Sequence, residues 1–102
     1  MIDVCQLIKV NTTFDEIGQA IAEEEPFKVF CEAGAITRSE WNAAGLQGIK
    51  PSTMLIVNAF EYNGELDVEY RGKRYSVYRT YTGMESNKTE LYLQLKVGDD
   101  NG

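Results

Sequence analysis

Two cysteines, several runs of carboxylates and no histidine set the limits of the chemistry open to this 102-residue chain. Without an imidazole, neither a Ser–His–Asp nor a Cys–His nucleophile system can be built. Zinc sites of the Cys₂His₂ or His₃ type lack their ligands for the same reason. Cys5 and Cys31 are too far apart for a CxxC pair and lie in strand-like stretches, VCQLIKV and FKVFCEA. They read as small reduced core residues, the usual state in a chain that is not exported, with a disulfide or reactive thiol as the alternative. The carboxylates of AEEEP (Ala22 to Pro26) and GDD (Gly98 to Asp100) fall in turn or tail contexts, where solvated charge is the usual explanation. No GxxxxGK[ST] or GxGxxG segment offers a phosphate cradle. The expectation is a protein that is not an enzyme, with no catalytic, cofactor-binding or metal-binding residues and no cofactor.

A second chemistry is base stacking. Tyrosines recur on strand faces, and Lys73, Arg74 and Arg79 cluster near them, as in small barrels that bind single-stranded nucleic acid. The net charge of −6 and the lack of a continuous basic groove oppose phosphate contact. A nucleic-acid-binding module is therefore the second reading. The 43% hydrophobic and 25% charged residues are ordinary for a globular chain, and the length suits one domain. No apolar run approaches the roughly 18 residues that span a bilayer, so no membrane association is expected. MIDVCQLIKV has no basic region before an apolar stretch, and a chain used without secretion is expected.

The elements that must position these residues are mostly strands. VCQLIKV (4–10) is rich in aliphatic and β-branched residues. In FDEIGQAIAEEE, Phe14, Ile17 and Ile21 also fit a helix. A long hairpin with a second, shorter strand is favoured, because Gly18 would cost a helix interior about 1 kcal/mol relative to Ala. Pro26 then restarts the chain into FKVFCEAGAI, and TMLIVNAFEY (53–62) reads as a strand covered on both sides. Asn63–Gly64 predicts a tight hairpin with both residues at positive φ. ELDVEY then puts Leu66, Val68 and Tyr70 on one face and Glu65, Asp67 and Glu69 on the other, before a second tight turn at Arg71–Gly72.

RYSVYRTYT and TELYLQLKV, joined through GMESNK, form the last hairpin. Placing Tyr78 opposite Tyr92 sets Val77 against Leu93 and Tyr75 against Leu95, which gathers the apolar residues on one face. Consecutive short strands predict an all-β fold with a short helix: a small antiparallel β-barrel, a meander closing on itself. Residues 1–97 would form this single domain, and 98–102 a flexible acidic tail.

One stretch is not needed for a core: AITRSEWNAAGLQGIKPST, residues 35–53. Thr37 and Glu40 have the spacing of a capping box. About two helical turns follow, with Gly45 suited to the left-handed residue that ends them. So short a helix does not persist alone, and Trp41 is the expected anchor. The insertion, 37–52, is either a plug with Leu46 and Ile49 tucked into one barrel end or a projecting loop whose apolar residues meet another chain.

The order C-x-L-I-K (Cys5 to Lys9), TRSEWNAAGLQGIKPS (37–52), VEYRGKRYSVYRTY (68–81) and ELYLQLKVG (90–98) resembles the head-closure, or head–tail connector, proteins of long-tailed bacteriophages and prophages. The resemblance spans nearly the whole chain. It implies a structural virion component made in the host cytoplasm: a barrel forming a ring, usually of twelve subunits. The ring would dock below the portal and adaptor proteins, touch packaged DNA passively and offer the tail-completion protein its attachment surface. In some relatives a loop between strands enters the central channel; the matching segment here is Gly45, Leu46, Gln47, Gly48, Ile49 and Lys50. Trp41, Tyr78 and Tyr92 are the candidate subunit or partner contacts. A neighbouring tail-completion protein is a further alternative.

Overall fold

The computed structural model describes residues 2–84 and 87–96, and the acidic tail assigned to 98–102 lies outside them. Six strands form a closed antiparallel barrel: β1 (Asp3–Phe14), β2 (Ala20–Gly34), β3 (Thr53–Asn58), β4 (Asp67–Tyr70), β5 (Lys73–Thr82) and β6 (Lys88–Leu95). One helix, α1 (Arg38–Gly45), lies between β2 and β3. The interior is filled by inward side chains of every strand, among them Cys5, Leu7, Val29, Leu55, Val57, Val68, Tyr75, Leu91 and Leu93. A six-stranded barrel is narrow enough for side chains alone to fill it.

The strand order around the barrel is β1-β2-β3-β6-β5-β4, with β4 closing on β1, so the connectivity is not a simple meander. The departure lies at the predicted Asn63–Gly64 hairpin. β3 stops at Asn58, a single 3₁₀ turn spans Ala59–Glu61, and only Gly64 of the pair has positive φ. β3 and β4 sit opposite each other in the ring of strands, so residues 59–66 cross one barrel end instead of turning back. Half-buried Tyr62 packs on the core, and its hydroxyl donates to the Glu65 carbonyl at 2.6 Å. Glu65 is buried and accepts from the Asn63 amide at 2.9 Å, while Leu66 is exposed. The inward set therefore begins at Val68 rather than Leu66, because β4 starts only where the crossing ends.

The Arg71–Gly72 turn forms as expected. Both residues have positive φ (53° and 78°), the twist that matches a two-residue hairpin, and Tyr70 pairs with Lys73 across it.

The hairpin over 14–25 also forms, in preference to the helix. Its second strand is longer than expected: β2 runs unbroken through Pro26, so Glu23, Glu24 and Glu25 stand in a strand and not a turn. Pro26 is tolerated because β2 there has β1 on one side and no strand on the other, β3 joining only at Glu32–Gly34. β1 meets β4 only over Gln6–Ile8. Residues 9–14 and 20–25 are thus a two-stranded arm reaching beyond the barrel, which lengthens the molecule to 49 × 30 × 25 Å. At its tip Asp15 Oδ1 accepts from the Ile17 and Gln19 amides at 3.0 and 2.8 Å. At its base Arg74 donates to Glu24 of the arm at 2.9 Å and to Asp67 of β4 at 3.2 Å.

In the last hairpin, Val77 opposes Leu93 and Tyr75 opposes Leu95, as the apolar pattern predicts. A β-bulge follows. Tyr92 faces Arg79, and Tyr78 is the extra residue. Bulges re-aim a side chain, and here the re-aimed one is Tyr78.

Candidate functional site

Helix α1 begins as its sequence dictates. Thr37 is the N-cap, its hydroxyl accepting from the Glu40 amide at 3.1 Å. The reciprocal half of the capping box is not made, because the Glu40 carboxylate turns toward the barrel wall. It accepts from the Tyr78 hydroxyl at 2.8 Å and from both Nε and Nη2 of Arg79. The Arg79 guanidinium in turn lies 4.2 Å from the centre of the Tyr92 ring. The rings of Tyr78 and Tyr92 are 6.3 Å apart and tilted, and the Tyr92 hydroxyl donates to Glu90 at 2.6 Å.

This clasp changes the part assigned to three residues. Tyr78 and Tyr92 do come together, but not as a free aromatic patch: the Tyr78 hydroxyl is committed to α1, and Arg79 covers the Tyr92 ring. Trp41, the expected anchor, is 46% exposed. What ties the helix to its own barrel is Glu40, with Ala44 as its buried residue. The electrostatics agree. The Arg79 guanidinium and the Tyr78 hydroxyl hold the Glu40 carboxyl below its ordinary value, against the opposing effect of burial. Burial and the bond to Glu40 raise the Tyr78 phenol. A threonine three residues before a glutamate gave the sequence two uses for Glu40, and only the bulge beside Arg79 decides between them.

The helix ends at Gly45 with Leu46 as its C-cap, and the left-handed residue comes later, in the turn that closes it. The amides of Gly48 and Ile49 donate to the carbonyls of Gly45 and Ala44 at 3.0 and 2.9 Å, a Schellman closure. Gly48 supplies the left-handed residue (φ 76°), and Gly45 has no positive φ. Of the six candidate loop residues, Leu46 is 90% exposed, Gln47, Gly48 and Lys50 are exposed and Ile49 is half-buried. Pro51 is buried and returns the chain to β3. The loop is therefore held at both ends and presents Leu46 to solvent; the buried plug is not formed. The barrel end is crossed by residues 59–66 instead.

Of the three cations expected to make a nucleic-acid surface, Arg74 binds Glu24 and Asp67 and Arg79 binds Glu40, while Lys73 is exposed. Outside that cluster Arg71 binds Asp3, and Lys96 binds Asp67 at 3.1 Å. Among the described residues no group of three His, Cys, Asp or Glu side chains is placed to hold a metal ion. Nor, among the described residues, is any helix long and apolar enough to cross a membrane. Cys5 and Cys31 are free thiols buried in the core, as expected, and burial raises both.

Sequence reasoning missed the arm. The long hairpin was expected, but not its projection from the barrel: Val10, Phe14, Ile17 and Ile21 are 51%, 70%, 77% and 42% exposed. Their surroundings carried the signal: an uninterrupted acidic run beside Pro26 is unusual for the interior of a covered sheet. No protein-family model matches the chain, and no curated protein matches it.

Proposed function

We propose that this protein is a structural, non-catalytic subunit of the head–tail joint of a long-tailed bacteriophage or prophage. It forms a ring below the portal and adaptor, helps retain packaged DNA and offers the tail its docking surface. The observation that carries the reading is the α1–β3 loop: clasped to the barrel at its base by Glu40, it presents Leu46 at 90% exposure, where it contributes nothing to its own core. A closed barrel carrying a net charge of −6 also suits a conduit, whose wall must let DNA pass.

The test is loss of the gene from the phage or prophage that carries it. Filled heads without tails, leaking DNA, are expected, with rescue by the parent chain and poor rescue by Leu46→Ser. Normal tailed particles in the absence of the protein would overturn the proposal. Affinity for duplex and single-stranded DNA at physiological salt should be weaker than the roughly 10⁻⁴ to 10⁻⁶ M of non-specific binders. Tight, salt-sensitive binding would favour the nucleic-acid module.

A further inference from the structure

The arm and the α1–β3 loop both hold apolar side chains in solvent, and they lie at opposite ends of β2. That strand has 15 residues, so the two are on the order of 50 Å apart and cannot meet within one chain. Each therefore needs an occupant from outside, and an isolated two-stranded ribbon is marginal in water without one.

We propose that the occupant of each is the other: the β1–β2 arm of one copy seats on the α1–β3 loop of the next, head to tail. This rests on the ring reading above and names its subunit contact. The two surfaces match in chemistry. At the arm tip Phe14 and Ile17 are accompanied by Asp15, Glu16 and Glu23, none of which forms an ion pair among the described residues. On the loop side Leu46 and half-exposed Trp41 are accompanied by Arg38 and Lys50, which also have no acidic partner among the described residues. Apolar residues meet apolar residues, and carboxylates meet cations. The arm's base is held to the barrel by Arg74 through Glu24 and Asp67, so its tip is presented rather than loose. A contact using two different patches is heterologous and closes into a ring or runs on as a filament. Its aromatic and aliphatic centre with a charged rim has the usual anatomy of an interface. The net charge of −6 on each copy opposes it, so association is weak in solution and strengthens when subunits are gathered on a template.

Charge exchange tests the pairing. Glu16→Lys with Glu23→Lys raises the net charge by four, from −6 to −2; Arg38→Glu with Lys50→Glu lowers it by four, to −10; the chain carrying all four returns to −6. Sedimentation of the parent up to about millimolar protein in low salt should show concentration-dependent association. Each double variant should weaken it at least tenfold. An equimolar mixture of the two double variants should regain it through hetero-pairs, and the fourfold variant should regain it alone. All four positions are exposed, and thermal melting of each variant verifies folding. As an independent measure, Ile17→Cys and Leu46→Cys chains, mixed and treated with a short bis-maleimide, should cross-link to each other more than to themselves. A parent that stays monomeric throughout, a charge-reversed arm that associates as well as the parent, or a fourfold variant that does not recover would overturn the proposal. If the contact is found but phage lacking the protein join tails normally, the ring contact stands and the head–tail reading falls.

Discussion

Glu40→Gln separates the docking of helix α1 from the stability of the barrel. The carboxylate accepts from Tyr78 and twice from Arg79. Hydrogen bonds to a charged group are worth about 1.5–3 kcal/mol. The Arg79 side chain is 44% exposed, so its share shrinks toward the roughly 0.2–1 kcal/mol of surface pairs. The glutamine oxygen can still accept from Tyr78. A net loss of about 1–2 kcal/mol remains, a factor of roughly 5–30 in the ratio of docked to undocked helix. An eight-residue helix does not survive undocking, and the chain's single tryptophan, Trp41, is the next residue along and reports the event. Acid should do the same. Glu40 titrates below its ordinary 4.5 in the folded protein, so its contribution is complete at neutral pH and is lost as the pH falls through that lowered value. Tryptophan fluorescence should shift to the red below pH 4.5 in the parent, while far-ultraviolet circular dichroism still reports the barrel. Glu40→Gln should be red-shifted already at pH 7 and flat across that range. Superimposable titrations of parent and variant would refute the clasp.

The core and the loop should respond oppositely to truncation. Leu93→Ala, fully buried, should cost roughly 2–5 kcal/mol in denaturant unfolding. Leu46→Ser, with about a tenth of its surface covered, should cost only about 0.2–0.3 kcal/mol; equal losses would mean the loop is part of its own core. Tyr92→Ala should fall between, at about 1 kcal/mol, through loss of the Arg79 stacking; a loss matching Leu93→Ala would reverse the assignment of faces. Cys5 and Cys31, both buried and with raised thiols, should react with a disulfide reagent only as the protein unfolds, and a fast native phase would contradict their placement.

Local rules settled much of this molecule from the sequence alone. Alternation of apolar residues placed Leu91 and Leu93 inside and fixed Val77 opposite Leu93, because a slip by one residue would turn a whole strand inside out. Thr37 began a helix, and Arg71–Gly72 made a two-residue turn, since both depend only on neighbouring backbone. The exposure of the α1–β3 loop was legible as one of two alternatives. What failed were choices among partners far apart in the chain. Asn63–Gly64 carries a hairpin signal, but β3 had β2 and β6 as neighbours, and the chain had to cross the barrel end to reach β4. Glu40 could cap its own helix, yet a bulge at Tyr78 brought Arg79 and a phenol within reach, and a charge-assisted bond outcompetes a cap amide that water can satisfy. The arm escaped notice because exposed and buried apolar residues look alike in a sequence. Only closure of the barrel at Gln6–Ile8 and Glu32–Gly34 left residues 9–14 and 20–25 outside it, their side chains without a core to enter.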